Sequence, residues 1–389
     1  MNSQTNPVKM LKQLIRFPTY QIAPDQVAYG MKDCSAFLSD QLRQLGFTVA
    51  VDELCNITAE REFDGEKTFL INTHFDTVSP AKGWKDALRP TLMNGKIYGL
   101  GSSDAKGGIA ATLSALSRLE DSRFAKLIVQ FVNYEDNAIV YRGIRRLGMP
   151  YFLSKNPRFT ADYGINVEPT VVGDKLTVSI GCTGRLAFKV KTIGKEAHSA
   201  TPREGKNAIY DMMVVVKALR ELPPGKFKVD DFEAEMPINV ATIEGGRAIN
   251  IIPGECEAVC ERRLFPSEDP EEIEKTIHLT LERVETAQVE CSFSRPAQAP
   301  YAIDRNDEIV SLVERAVSAT LGYNPPIRIE LGRTDSTYLY HNAGIKTAIV
   351  GPGHTGHIKG ECIYVDRLLE FTKVLESLLT SESSGILGN

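Results

Sequence analysis

Four short apolar runs in this chain each lead into an acidic residue or a histidine, and this recurrence constrains the fold more than any other feature. The runs and the residues that follow them are Thr68–Thr73 before His74 and Asp76, Leu127–Val132 before Glu135 and Asp136, Tyr163–Val167 before Glu168, and Thr347–Val350 before a glycine-rich turn and His357. Apolar strands that alternate with helical patterns predict an α/β fold with a largely parallel sheet flanked by helices. Because ligands of such sheets bind beyond the carboxyl ends of the strands, we expect these side chains to converge at one edge.

The pattern of predicted elements changes between about Leu176 and Ser294. Outside this stretch, amphipathic helices are predicted at Val8–Phe17 and Val27–Leu45, and further helices at Gly108–Leu119, Glu308–Leu321 and Val365–Ser381. Inside it, the order is β-α-β-β-α-β, over Arg185–Ile193, Asn207–Leu222, Pro237–Ile243, Asn250–Arg263, Pro270–Val284 and Gln288–Ser294. A chain of 389 residues commonly forms two domains. We therefore predict one domain from residues 1–178 and 296–389, and a second, inserted domain from residues 179–295.

Charge and cysteine usage exclude several classes of partner. The net charge is −5 with no basic run, so no nucleic-acid partner is expected. No segment approaches the roughly 20 apolar residues that a membrane span needs, and the first residues lack the apolar stretch of a signal peptide. The seven cysteines are scattered and form no CxxC pair, which favours the reducing cytoplasm.

One aspartate, Asp104, lies in a glycine-rich loop just before the predicted helix at Gly108. Gly99 and Gly101 begin like the GxGxxG fingerprint of dinucleotide-binding proteins, but Asp104 stands where the third glycine should be. A carboxylate there would repel a pyrophosphate and suits a cation better. We therefore predict that Asp104 bridges two metal ions.

The other residues at the predicted sheet edge supply a mixed set of nitrogen and oxygen donors. Such a set suits Zn²⁺, with Co²⁺ or Mn²⁺ as substitutes. The predicted metal ligands are His74 and Glu168 for one ion, Asp136 and His357 for the other, and Asp104 between them. His354, three residues before His357, is an alternative to it.

Two carboxylates remain once the ligands are assigned. Asp76 can accept the second N–H of the His74 imidazole and fix its tautomer. Glu135 can act as the general base that deprotonates a metal-bound water. An isolated His-x-Asp or Glu-Asp pair is usually a solvated turn, so the interpretation depends on finding four such sites after four strands.

These motifs closely resemble peptidase family M20, the di-zinc aminoacylase/carboxypeptidase superfamily. The resemblance rests on His74–Val78, Gly101–Gly108, Glu135-Asp136, Val167–Thr170 and the late Gly-Pro-Gly with His357 and Glu361. Within the family, the pattern is most similar to acetylornithine deacetylases and succinyl-diaminopimelate desuccinylases. It implies two Zn²⁺ per chain, and the spacing to Glu361 favours His357 over His354 as a ligand.

The resemblance also assigns roles within and beyond the inserted domain. It implies that this domain forms a homodimer, and that His198 reaches the partner subunit's active site to polarise the scissile carbonyl. Asn250 and Arg263 match positions that contact substrate, and Arg333 lies in what resembles a substrate-side loop, although it could equally be a surface charge.

The implied activity is cleavage of the amide bond of small N-acyl-L-amino acids by a di-zinc-activated water, with Glu135 as general base. Glu168 resembles the deacylases, whereas several dipeptidases carry aspartate there. A dipeptidase or carboxypeptidase of the same family is the alternative enzyme. Asp136 departs from the usual glutamate, which leaves open a metal-poor homologue that binds amino-acid derivatives without turnover.

Overall fold

The structure is a computed structural model that describes residues 5–20, 29–135, 148–285, 288–294, 297–354 and 356–380. The chain divides into two compact units. The larger consists of Met1–Gly181 with Ile303–Asn389, and the smaller of Cys182–Ala302.

A mixed sheet forms the centre of the larger unit. From one edge, its strands are Thr48–Val51, Ile57–Glu62, Lys126–Val132, Thr68–His74, Tyr163–Asn166, Lys346–Ile349 and Val178–Cys182, and Ile327–Glu330 also pairs with the last of these. The four strands in the middle run parallel, and the pairings made by Thr48–Val51, Ile57–Glu62 and Lys346–Ile349 with Val178–Cys182 at the outer sides of this group are antiparallel. The prediction of a largely parallel sheet is confirmed.

The register of the central strands brings the predicted site residues to one level. His74 lies opposite Val132, three residues before Glu135. Asn72 lies opposite Asn166, so His74 and Glu168 each follow two residues beyond a paired position. The apolar residues of these strands are buried, as are the polar residues Asn72, Gln130 and Asn166 within them, and the predicted site residues lie at or just beyond the strand ends.

Helices cover the sheet of the larger unit. They are Pro7–Ile15, Tyr29–Gln44, Lys106–Leu116, Gly148–Lys155, Glu308–Leu321, Ser336–Ala343 and Val365–Leu379. Every residue of Lys106–Leu116 is buried, because Pro7–Ile15 and Val365–Leu379 pack against it. None of the helices within the described ranges is both long and apolar enough to cross a membrane.

Two smaller sheets complete the larger unit. A three-stranded sheet contains Cys362–Tyr364, Lys96–Tyr98 and Thr91–Met93, in that order. A short hairpin pairs Val171–Val172 with Lys175–Leu176. The first of these sheets joins the chain just after the late glycine-rich turn to the chain just before the Asp104 loop.

The smaller unit has an antiparallel sheet with two helices packed against it. The strand order is Asn239–Gly245, Glu255–Leu264, Gly184–Ile193 and Gln288–Phe293, and the helices are Ala208–Glu221 and Pro270–Glu282. Apolar residues of both layers, such as Phe188 and Met212, form its core. The predicted β-α-β-β-α-β order is confirmed.

Several details of the smaller unit differ from the predictions. The predicted strand Asn250–Arg263 is interrupted, because Pro253 and Gly254 separate a short strand, Ile251–Ile252, from the long one. Ile251–Ile252 pairs instead with Ala197–His198. A hairpin of Gly225–Val229 and Phe232–Met236 was not predicted, and a short strand, Tyr301–Ala302, ends the unit.

Candidate metal centre

Three donor side chains meet at the carboxyl edge of the central strands. His74 is the last residue of its strand, and its Nε2 lies 3.1 Å from Oδ1 of Asp104 and 3.5 Å from Oε2 of Glu168. One donor atom from each residue lies within 4.8 Å of the other two. His74 and Glu168 are buried, so one imidazole and two carboxylates form a compact site with little access to water.

The two oxygens of Asp104 face two different histidines. Oδ1 faces His74, whereas Oδ2 lies 3.4 Å from Nε2 of His357, whose side chain is 63% exposed. The turn before His357 approaches closely, since a Cβ on Gly356 would lie 2.3 Å from Oδ2 of Asp104. The ring of His354 packs instead against Tyr364, with centroids 5.7 Å apart. Of the two late histidines, His357 is therefore the one that faces Asp104.

Asp76 connects His74 to Glu135. Its Oδ1 accepts the backbone N–H of Glu135 at 3.1 Å and lies 3.4 Å from Nδ1 of His74, which is also 3.1 Å from the Asp76 carbonyl oxygen. Oε2 of Glu135 lies 3.9 Å from Nε2 of His74. The structure thus places both carboxylates beside the three donors. The remaining predicted ligand, Asp136, lies outside the described residues.

Negative charge dominates the electrostatics of this cluster. Burial alone would lower the pKa of His74, but the surrounding carboxylates outweigh it and raise the pKa well above its usual value. Burial raises the pKa of Glu168 to about 7, although His74 opposes the shift. Burial and the charge of Glu168 also raise the pKa of Glu135 well above its usual range. A single imidazole does not balance the charge of the carboxylates of Asp76, Asp104, Glu135 and Glu168 around it.

The donor set fits divalent metal ions. Oε1 of Glu168 is buried and has no hydrogen-bond partner within the part of the chain that the structure describes. An acceptor with unused lone pairs normally costs free energy when buried, and coordination to a cation would satisfy it. Imidazole nitrogen and carboxylate oxygen are typical zinc ligands.

The other predicted site residues lie in separate places. His198, Asn250 and Arg263 belong to the smaller unit. His198 is exposed, and its Nδ1 accepts the N–H of Ala200 at 3.1 Å. Asn250 is exposed, and its backbone carbonyl oxygen accepts the N–H of Ser199 at 3.0 Å. Nε of Arg263 donates to the carboxylate of Glu261 at 2.6 Å.

Arg333 belongs to the larger unit, and it is not a surface charge. It is 8% exposed, and its guanidinium lies over the Tyr338 ring, 5.2 Å from the centroid. Asp335, in the same loop, is close enough to Glu135 to contribute to its raised pKa. The loop that carries Arg333 therefore lies near the site.

Sequence reasoning gave no role to two buried charged residues beside the Asp104 loop. Lys106, at the start of the buried helix, donates from Nζ to the carbonyl oxygen of Phe17 at 3.0 Å. Glu361 accepts backbone N–H groups of the Asp104 loop. Lys106 lies just before the predicted helix Gly108–Leu119, and a lysine next to this run of small residues was an available signal. Glu361 belongs to the late motif, but its hydrogen-bond partners are about 260 positions away in sequence, and no local pattern indicated these contacts.

Comparison with known proteins gives consistent results. The family model described as "Peptidase family M20/M25/M40" matches residues 70–381. An acetylornithine deacetylase from Myxococcus xanthus is 28% identical, over 80% of this chain and 79% of its own length. A succinyl-diaminopimelate desuccinylase from Nautilia profundicola is 26% identical, over 89% of this chain and 91% of its own length.

Solved structures share the fold at low sequence identity. A tripeptidase from Staphylococcus aureus has a TM-score of 0.75 at 21% identity, covering 97% of this chain and 98% of its own. A dinuclear metal-binding peptidase of the M20 family from Bacillus subtilis has a TM-score of 0.70 at 13% identity, covering 96% and 97%. At these identities the likeness concerns the fold alone.

Proposed function

The chain belongs to peptidase family M20/M25/M40, a family of hydrolases of amide and peptide bonds, and on this premise we propose that it cleaves the amide bond of N-acyl-L-amino acids. The observation that carries the proposal is the convergence of the His74, Asp104 and Glu168 donors, with the Glu135 carboxylate beside them. Relatives named as a deacetylase and a desuccinylase, both of which act on N-acyl compounds by name, favour a deacylase over a peptidase.

Two metal ions would be held by five side chains. His74 and Glu168 would bind one ion, His357 and Asp136 the other, and Asp104 would contribute one oxygen to each. The positions of the two Asp104 oxygens, each facing a different histidine, support this assignment. Bound Zn²⁺, or Co²⁺ or Mn²⁺ in its place, would supply Lewis-acid chemistry at the scissile carbonyl.

The protein's own residues would move the protons. Glu135 takes a proton from the attacking water and later gives it to the leaving nitrogen, and its position beside His74 and its raised pKa suit this exchange. Asp76 positions Glu135 through the backbone N–H and holds the His74 ring. Arg333 and, in the smaller unit, Asn250 and Arg263 would contact the substrate carboxylate or backbone.

The base assignment is tested with a substrate panel on zinc-reconstituted protein. The panel contains N-acetyl-L-ornithine, N-succinyl-LL-diaminopimelate, other N-acyl amino acids and dipeptides, and released amine is measured. We expect turnover of N-acyl amino acids, and a loss of about 10²- to 10⁴-fold in kcat for Glu135→Gln. The exposed Glu120→Gln serves as the matched control. Undiminished hydrolysis by Glu135→Gln would refute the assignment of Glu135 as general base. Turnover of dipeptides alone would show that the enzyme is a peptidase.

We further propose that the smaller unit forms a homodimer through one edge of its sheet. Asn239–Gly245 is an edge strand, and the helix beside it exposes Tyr210, Met213 and Val214 at 68%, 64% and 47%. Ile243 of the edge strand is 52% exposed and, together with Met213 of the helix, lines a largely apolar groove between them. An open strand edge beside an apolar helix face is complementary to a second copy of itself across a twofold axis.

Sedimentation measurements test the dimer. Ile243→Lys should yield monomers, whereas Leu279→Lys, on an exposed apolar residue of the other helix, should leave the dimer intact. Mixing inactive His198→Ala with inactive Glu135→Ala subunits should restore activity if His198 acts in the partner's site. A monomeric native protein, or no restored activity, would refute the shared site.

The cytoplasm is the proposed location. All seven cysteines are free thiols in the structure, and five of them are buried. Free buried thiols are typical of proteins from reducing compartments. No nucleic acid or membrane takes part in the proposed function.

A further inference from the structure

The side chain of Glu361 is an acceptor for three backbone N–H groups of a single loop. Its Oε1 accepts from Ser103 at 2.9 Å and from Asp104 at 3.0 Å, and its Oε2 accepts from Gly101 at 3.1 Å. The residue is only 2% exposed. A buried carboxylate satisfied by three N–H donors fixes the positions of those donors closely.

The loop held in this way is the one that carries Asp104. The backbone carbonyl of Glu361 also accepts the N–H of Gly99 at 3.0 Å, so the loop is held near both ends. The next residue, Cys362, lies opposite Tyr98 in the three-stranded sheet. These contacts fix the backbone from Gly99 to Asp104 against the strand that begins at Cys362.

The same late segment carries His357, four residues before Glu361. Ser103 Oγ accepts the N–H of His354 at 2.9 Å, and Gly356 packs directly on the Asp104 side chain. Glu361 therefore connects the loop of Asp104 to the segment of His357. The relative position of these two side chains depends on this connection.

We propose that Glu361 is a positioning residue that sets the Asp104 carboxylate between the two ions of the metal centre. This inference rests on the proposed function, because it takes Asp104 and His357 as ligands. Glu361 touches none of the reacting groups, and it acts through the backbone of Ser103 and Asp104.

The chemistry of the acceptor makes the role specific to a carboxylate. Both oxygens of Glu361 accept, and neither must donate. Glutamine has one acceptor oxygen and a donor NH₂ group, so one side of it would meet an N–H group. With its oxygen toward Ser103 and Asp104, Glu361→Gln keeps two bonds and loses that to Gly101, whereas Glu361→Ala loses all three.

The experiment measures metal binding by the full-length protein independently of its activity. Metal is removed, Zn²⁺ affinity is measured by competition with a chromophoric chelator, and the Co²⁺ form is recorded by visible absorption. We expect Glu361→Ala to bind at least one ion about 10- to 100-fold more weakly than the native protein and to shift the Co²⁺ spectrum. Glu361→Gln should lie between Glu361→Ala and the native protein.

Glu268→Ala is the matched control for a loss of stability. Glu268 is also a partly buried loop-anchoring glutamate, which accepts the N–H of Phe265 at 2.8 Å, but it lies in the smaller unit. This variant should unfold at a lower temperature with native Zn²⁺ affinity and Co²⁺ spectrum. Native metal binding by Glu361→Gln and by any folded Glu361→Ala would overturn the inference. Failure of the native protein to bind Zn²⁺ would instead overturn the proposed function.

Discussion

Asp76 offers a sharp test of how the site is held together, because it contacts both His74 and Glu135. In Asp76→Ala, the backbone N–H of Glu135 loses a charge-assisted hydrogen bond of 3.1 Å, which is worth about 1.5–3 kcal/mol. The His74 ring keeps one partner, since the carbonyl oxygen of residue 76 remains 3.1 Å from Nδ1. The substitution should therefore disturb the base more than the metal ligand.

We expect Zn²⁺ affinity to fall about 10-fold in Asp76→Ala, the lower end for residues that orient a metal ligand. The rate constant kcat should fall further, by about 10- to 100-fold, as expected from the lost hydrogen bond. Asp76→Asn retains an acceptor for the Glu135 N–H, so its kcat should recover most of this loss. Steady-state kinetics at saturating Zn²⁺, with chelator competition for affinity, separate the two effects. A native kcat in Asp76→Ala would refute this account of how Glu135 is positioned.

Three further predictions concern other parts of the larger unit. His357→Ala should remove about one Zn²⁺ per chain in elemental analysis, whereas His354→Ala should retain the native content; the reverse result would exchange their roles. Phe69→Ala should lower the free energy of unfolding by about 3–5 kcal/mol in urea titrations. The reason is that Phe69 is fully buried and its ring stacks on that of Phe124, with centroids 4.3 Å apart. A loss under about 1 kcal/mol would contradict this packing. Burial raises the pKa of the Cys34 thiol to about 12. Above pH about 9, the thiol therefore loses its proton in the unfolded chain but keeps it in the native state. The free energy of unfolding should then fall with rising pH, by up to about 1.4 kcal/mol per pH unit, until pH about 12. Cys34→Ala should show a shallower fall over that range, and an unchanged slope would contradict the assignment.

The edge of the central sheet was predictable from the sequence for a physical reason. Buried parallel strands favour largely apolar runs, so a histidine or an acidic residue directly after such a run indicates that the strand ends there, as His74 and Glu168 do. Because neighbouring strands run parallel, their carboxyl ends lie at the same edge of the sheet. Predicting candidate metal ligands at the strand ends therefore required no knowledge of side-chain packing.

Other features depend on contacts that a local pattern does not carry. The strands Gly225–Val229 and Phe232–Met236 place Lys226 and Lys228 opposite Glu235 and Glu233, and this charged alternation resembles a solvated loop in sequence. Glu361 depends on donors about 260 residues away. Its burial and three N–H partners became visible only once the fold was known.

The proposed two-ion site is tested most directly by anomalous X-ray diffraction from crystals of the zinc-loaded protein, with data collected on both sides of the zinc edge. The account predicts two peaks, one about 2.0–2.2 Å from His74 Nε2 and Asp104 Oδ1 and another at that distance from Asp104 Oδ2 and His357 Nε2. A single peak at His74 would restrict the centre to one ion. Absence of any peak between these residues in fully loaded crystals would contradict the proposed metal centre.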